Sequence, residues 1–490
     1  MLDFLNILNN KQLREFVANV EKGKRQTVLG VSTEVKGLLL SLCGKKSIFV
    51  YSDIVSAGKI ATQAEALGVN CKFILNCYED SFGLVDKFAI SEYISSLYAF
   101  VTEQTGLLFV SVEALFQKAP TKKDLLNGCL KLEKGANFDF KNLTHSLIEM
   151  GYNRVEFLSG QSQFLIRGNI LEIFSINQKD IVRIEFFDTE IERISLVTAD
   201  EKKLVKELEQ IEIIAINYKQ SENNLLNLAE KVFFDEPIRL ENSKNFFIQS
   251  LESLNENGNF VDEKLIFKTC AKSRTSFMSI QGKSFFESEA KIALKSFGTK
   301  KYIFDFKELV SDINFYSSSG LNIFLFCGSE ENKKRLMEFL VSNNIFSSDL
   351  KLEKYNSKNS NSEEFEPYDF SLNQTIGKNE SQKGKVFILS ALLPFSIALV
   401  NSDAILIGSY DLFKKRDKRK ILDKKASIYA PKPNEYVVHN THGIGKCIGA
   451  KKLKLTDYEK DYFIIEFAGG DKLYLPTEQA DIISAYLGSE

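Results

Sequence analysis

Residues 151–194 read GYNRVEFLSGQSQFLIRGNILEIFSINQKDIVRIEFFDTEIERI. Gln163–Phe174 and Val182–Phe187 are β-branched and aromatic runs. Ser175–Asp180 and the short turn at Asp188–Thr189 break them, so the stretch is expected to form strands. Strand side chains alternate faces, which sends Val182, Ile184 and Phe186 one way and Arg183, Glu185 and Phe187 the other. A phenylalanine therefore shares a polar face with an arginine. Arginine and large aromatics carry a disproportionate part of protein–protein binding energy. One reading is a sheet that offers its polar face to a partner. The other is a Phe187 that caps the hairpin end and an Arg183 that pairs with neighbours.

The chain has 490 residues, 44% hydrophobic and 26% charged, which fits several globular domains of ordinary soluble composition. The formal charge is -2, so nucleic-acid contact would need a local basic patch. The seven cysteines are scattered and form no CxxC pair, pointing to a reducing compartment, the cytoplasm, with neither a zinc site nor a disulfide frame. Three histidines leave little material for a metal or catalytic cluster. His439 and His442 are spaced HxxH, but on a strand and its turn with no acidic or cysteine companion, so they read as structural. No basic-then-apolar leader and no run of 18 apolar residues occurs, so no membrane contact is expected.

Residues 1–110 alternate strands and helices, which implies a parallel sheet: strands at Gln26–Gly30, Ser47–Tyr51, Cys71–Leu75 and Gly106–Ser111, helices at Thr33–Leu42 and Ile54–Leu67. Between the first strand and helix lies Gly30-Val31-Ser32-Thr33-Glu34-Val35-Lys36-Gly37. Against the phosphate loop GxxxxGK[ST], Gly30 and Lys36 fall in place. Val35 replaces the second glycine and Gly37 the hydroxyl residue. A β-branched residue does not readily take the glycine bend, and without the hydroxyl Mg²⁺ has no ligand here. Either this is a nucleotide-loop framework without nucleotide binding, or an ordinary turn.

Further on, Leu143–Met150 and Leu225–Phe234 read as helices, and Ile211–Ile216 and Tyr302–Phe306 as strands. Leu321–Gly328, Glu330–Asn343, Lys385–Leu389 and Asp403–Gly408 read as a strand, a helix and two strands. The Asn/Ser-rich residues 355–385 read mostly as a mobile loop. Lys414–Lys425 carries eight basic and two acidic residues without aromatics for base stacking, favouring a solvated linker over a nucleic-acid patch. From Pro431, strands at Tyr436–His439, Gly445–Leu455, Tyr462–Phe467 and Lys472–Leu475 with glycine turns suggest a small SH3-like barrel, closed by a short helix after Pro476.

GYNRVEFLSGQSQFLIRGNILEIF…VRIEFFDTEIERI resembles domain 2 of the Mfd family of transcription-repair coupling factors, itself similar to a domain of the excision-repair protein UvrB. YVVHNTHGIGKCIGAKKLKL…DYFIIEFAGGDKLYLPTEQADIISAYLGSE resembles that family's RNA-polymerase-interacting domain, a CarD-like Tudor fold. The resemblance implies an α/β multidomain chain. Its parts would be a UvrB-like domain 1a with a degenerate P-loop (1–127), an inserted α+β domain 2 that binds UvrA (128–215) and domain 1b with its connection (216–309). A small α/β third domain (310–410), a basic linker (411–430) and the SH3/Tudor-like β-barrel (431–490) would follow.

The family places UvrA contacts at Arg167, Arg183 and Phe187 and a contact to the polymerase β subunit at Leu453, for which a barrel-core leucine is the alternative. It implies an ATP-driven, Mg-dependent DNA translocase beyond residue 490. No GxxxxGK[ST] and no helicase acidic box is read in this chain, so it is expected to be a monomeric adaptor lacking the motor, without catalytic residues, metal or cofactor. DNA would be contacted mainly through the motor. Two rivals are a UvrB-type ATPase of nucleotide excision repair, opposed by Val35 and Gly37, and a CarD-like regulator, opposed by the 151–194 motif. The short segment between Asn76 and Leu107 also lacks UvrB's DNA-wedging hairpin.

Overall fold

The computed structural model describes residues 4–74, 87–158, 160–199, 202–218, 223–253, 261, 266, 273–349, 353–354, 368–369, 384–413, 436–439, 443–454, 459–467, 472–476 and 483–485. The chain separates into two compact units, Met1–Lys414 and Lys415–Glu490. The basic run 414–425, most of the Asn/Ser-rich segment and His442 lie outside the described residues.

The first unit begins with strands β1 (Arg25–Leu29), β2 (Ser47–Tyr51), β3 (Cys71–Ile74) and β4 (Leu107–Ser111). β2 and β4 are buried at every position, as continuous apolar strands covered on both faces must be. Helices Thr33–Leu42 and Ile54–Ala66 follow β1 and β2. Asp53 caps the second, accepting from the Val55 and Ser56 N–H groups at 3.1 Å each.

An insertion follows: β5 (Leu130–Glu133), helix Phe140–Glu149, β6 (Asn153–Arg154), β7 (Gln163–Arg167), β8 (Ile170–Phe174), β9 (Ile181–Phe187), β10 (Glu190–Val197), β11 (Leu204–Leu208) and β12 (Gln210–Ile213). β6 to β11 form a six-stranded sheet in the order β11-β10-β9-β8-β7-β6, and β5 pairs with β12. The apolar run Gln163–Phe174 is two strands rather than one, because Gly168 takes a φ of 60° and turns the chain back on itself.

The chain then returns with β13 (Lys231–Asp235), β14 (Ser273–Met278) and β15 (Ala290–Ala293). These complete a seven-stranded sheet, β15-β1-β14-β13-β2-β4-β3, parallel throughout. Two sequence expectations fail nearby. Leu225–Phe234 is not a helix. Only Leu225–Leu228 makes a 3-10 turn, and Val232–Phe234 is drawn into the middle of the sheet, where β-branched and aromatic side chains fit best. Tyr302–Phe306 is not a strand. Ile303 and Phe304 take φ values of 34° and 69°, and Asp305 caps helix Phe306–Ser318.

Last in this unit come β16 (Asn322–Phe326), helix Glu330–Ser342, β17 (Ser347–Asp349), the pair β18 (Glu353–Lys354) and β19 (Tyr368–Asp369), β20 (Val386–Leu389), β21 (Ile397–Ala398) and β22 (Ala404–Ile407). A five-stranded sheet runs β17-β20-β16-β22-β21, parallel except for β21. It is tied to the first sheet by Gln63, whose amide donates to the Phe395 carbonyl and accepts from the Phe395 N–H, both at 3.0 Å.

The second unit is a five-stranded antiparallel sheet of β23 (Tyr436–His439), β24 (Gly443–Lys454), β25 (Glu459–Phe467), β26 (Lys472–Pro476) and β27 (Ile483–Ala485), ordered β26-β25-β24-β23-β27. Val437, Cys447, Phe463, Ile465 and Leu475 make its core. Ile483–Ala485 is a strand that pairs with β23; the helix expected after Pro476 falls on residues 477–482, which lie outside the described residues.

Candidate functional site

In the inserted sheet, Leu171, Ile173, Val182, Ile184 and Phe186 face the helix Phe140–Glu149 side and are buried. Register then fixes the opposite face. Arg167 pairs with Ile170, Ile170 with Glu185 and Glu185 with Arg193, and one row along Glu172 pairs with Arg183. The three residues singled out in the sequence thus share one face but not one environment.

Arg183 is engaged. Its Nε and Nη2 donate to Glu172 Oε1 at 2.9 and 2.6 Å, and Lys202 Nζ reaches Glu172 Oε2 at 3.0 Å. Burial pushes the Glu172 carboxyl up, but the hydrogen bonds and charges of Lys202 and Arg183 outweigh it and hold the group below the ordinary carboxylate range. Pairing with a neighbour is therefore correct for Arg183. Phe187, by contrast, is 74% exposed beside the turn at Asp188, whose φ is 56°. Arg167 is exposed as well. Its Nη2 donates to the Glu156 carbonyl at 3.1 Å, and its guanidinium lies 5.4 Å from the centroid of the Phe157 ring. Among the described residues it pairs with no carboxylate.

Sequence reasoning passed over Phe157, Glu172 and Lys202. Glu172 did carry a signal: a lone carboxylate inside the apolar run ILEIF must find a cation if it is buried.

The loop between β1 and helix Thr33–Leu42 occupies the carboxyl edge of a parallel sheet, where open α/β sheets bind ligands. Four of its backbone donors have acceptors within the protein. Gly30 N–H donates to the Met278 carbonyl at 2.9 Å and Ser32 N–H to Ser296 Oγ at 2.7 Å. Val35 N–H and Lys36 N–H both reach the Ser32 carbonyl at 3.2 Å. Val35 is buried, and so is Lys36, whose Nζ is 2.6 Å from Asp235 Oδ1 and 3.3 Å from Glu236 Oε1. Burial pushes the Asp235 carboxyl up against the pull of Lys36. Burial also raises Glu236, but hydrogen bonds from Ser279 and the charge of Lys36 bring it below its usual value. At Gly37 an added Cβ would lie 2.5 Å from Gln63 Cβ and 2.8 Å from the Ile60 carbonyl oxygen, so helix Ile54–Ala66 packs where a Ser or Thr would need room.

An acidic pattern does occur in the chain, against the expectation of none. KVFFDE is an apolar strand ending in Asp-Glu, and β13 brings Asp235 and Glu236 to the same sheet edge as Lys36, one strand removed from β1. Reading Leu225–Phe234 as a helix concealed it.

In the second unit, Leu453 lies on β24 with its backbone in register with Lys460. Among the described residues no three His, Cys, Asp or Glu side chains gather as a metal site, and no helix is long and apolar enough to cross a membrane.

Residues 130–218 match the UvrB interaction domain family and residues 432–487 the CarD-like/TRCF RID domain family. The chain is 24% identical to the transcription-repair-coupling factor of Borreliella burgdorferi over 98% of its own length and 45% of that protein. It is 23% identical to the Bacillus subtilis transcription-repair-coupling factor over 79% of its length and 38% of the relative. It thus spans less than half the length of these curated relatives. A hypothetical ATP-dependent RNA helicase from Sulfolobus tokodaii superposes at a TM-score of 0.23 with 9% identity over 71% of each chain, too loosely to bear on the fold. The chain is a relative of the transcription-repair-coupling factors that carries a UvrB interaction domain and a CarD-like/TRCF RID domain in one polypeptide.

Proposed function

We propose that this chain is an adaptor that holds RNA polymerase at one end and recruits UvrA at the other. The carrying observation is the joint presence of the two interaction domains, the first with an outer sheet face that leaves Arg167 and Phe187 exposed. UvrA docks on Arg167, Arg183 and Phe187. The β subunit of RNA polymerase docks on the second unit, a Tudor-like barrel in this reading, at Leu453. The chain works as a monomer in the cytoplasm under the domain division drawn from the sequence, and its contacts with DNA come mainly through a separate translocase part.

The loop at Gly30, Val35, Lys36 and Gly37 is a degenerate phosphate loop. Its residues do not fit a nucleotide: the cation is held by Asp235 and the Mg²⁺ hydroxyl is replaced by a glycine with no room for a side chain. No catalytic role is assigned to this chain.

The test is a three-component capture. RNA polymerase is immobilised, this chain is added, and retention of UvrA is measured. UvrA is expected on the resin only with the chain present. Arg183→Ala should weaken the UvrA arm by about 1–3 kcal/mol, the range for interface anchors, and leave the polymerase arm intact. Leu453→Ala should do the reverse. If UvrA were never retained, or were retained equally by Arg183→Ala, the assignment would be wrong.

A further inference from the structure

We infer that Phe157 is a fourth docking residue on this face, and that it positions the Arg167 guanidinium to receive a carboxylate flanked by apolar surface on the partner. The inference rests on the UvrA reading above.

Arg167 and Arg183 stand on the same face with different uses of their charge. Arg183 spends its Nε and Nη2 donors on Glu172, and that carboxylate also takes Lys202. Arg167 gives one hydrogen bond to a carbonyl, that of Glu156, and lies over the Phe157 ring. A guanidinium has five N–H donors in a planar fork that matches a carboxylate. Stacking on an aromatic face leaves the rim of that fork free while restricting the long side chain, so less freedom remains to be lost when a partner docks.

Exposure and spacing agree. Phe157 is 74% exposed, the same as Phe187, although an aromatic that served only the core would be covered. Adjacent strands lie about 4.8 Å apart, so β7 and β9 put Arg167 and the end of β9 roughly 10 Å from each other. Ile170 and Glu185 lie in register between them. Phe157, Arg167, Ile170, Glu185 and Phe187 thus lie along one strip, apolar at both ends; Glu185 faces Arg193 at 3.9 Å, while Arg167 has no carboxylate partner among the described residues. A partner segment with a carboxylate between apolar side chains is the complement.

The experiment is equilibrium binding of purified UvrA to the full chain carrying Phe157→Ala, Phe157→Trp, Phe157→Leu, Arg167→Ala or Phe157→Ala/Arg167→Ala, with Phe187→Ala as reference and thermal unfolding of each. Phe157→Ala should raise the Kd about tenfold, Phe157→Leu nearly as much, and Phe157→Trp little, with unfolding temperatures unchanged. In the Arg167→Ala background the added loss from Phe157→Ala should shrink, because the two act together. If Phe187→Ala weakens binding while Phe157→Ala binds like the parent, the inference fails and the UvrA reading stands. If the parent chain does not bind UvrA, or every variant binds alike, the UvrA reading itself fails.

Discussion

Lys36 and Arg167 carry the same charge on two sheets of one unit, and the structure treats them in opposite ways. Lys36 is buried at the carboxyl edge of a parallel sheet with Asp235 at 2.6 Å and Glu236 at 3.3 Å. Arg167 stands on the outer face of a largely antiparallel sheet, where an aromatic ring and a carbonyl position it and, among the described residues, no carboxylate takes its charge. A buried charge left without a partner is costly, and Asp235 supplies that partner to Lys36. An exposed charge incurs no such cost. The difference teaches that the two sheets use a cation differently: the parallel sheet locks it into an internal ion pair, and the inserted sheet leaves it at the surface.

Removing the buried cation should produce the largest effect. Lys36→Ala strands Asp235 and is expected to cost about 3–5 kcal/mol in denaturant unfolding of the first unit. A stability equal to the parent would show that the pair is not holding helix Thr33–Leu42 to β13. Rebuilding a phosphate loop should come next. Gly37→Ser forces a Cβ against Gln63 and Ile60, at an expected cost of about 1–3 kcal/mol. Even combined with Val35→Gly it should give no ATP binding by calorimetry; saturable binding would overturn the degenerate-loop reading.

On the exposed side the effect moves from stability to recognition. Arg167→Ala should weaken UvrA binding by about 1–3 kcal/mol while changing stability by less than about 0.5 kcal/mol. A stability loss like that of Lys36→Ala would erase the contrast.

The smallest effect concerns pH. The folded Glu172 carboxyl lies below its ordinary value, so its ion pairs stabilise the chain above the unfolded pKa, about 4.3 for glutamate. That contribution is lost as pH falls through the lower folded value. Glu172→Gln should therefore flatten the acid end of the stability curve and leave its slope at neutral pH alone.

The sequence made legible whatever depends on local pattern. Val182, Ile184 and Phe186 against Arg183 and Phe187 gave the two faces of the inserted sheet, and the bounds of helix Thr33–Leu42 match those observed. It was opaque where partners are distant in the chain. Nothing near Lys36 announces Asp235, 199 residues away, and nothing near Gly37 announces that helix Ile54–Ala66 closes over it. Leu225–Phe234 was misread because its leucines suit a helix while Val232–Phe234 is claimed by the sheet, a tertiary demand that outweighs local preference. Phe157 was overlooked because an exposed aromatic in a loop means little until the guanidinium of Arg167 is seen above it.

The most direct measurement is UvrA binding by Arg167→Ala/Phe187→Ala alongside its thermal unfolding. The chain should lose most of its UvrA affinity and unfold where the parent does. Parental affinity, or an affinity loss that merely follows a lowered unfolding temperature, would contradict a docking role for this face.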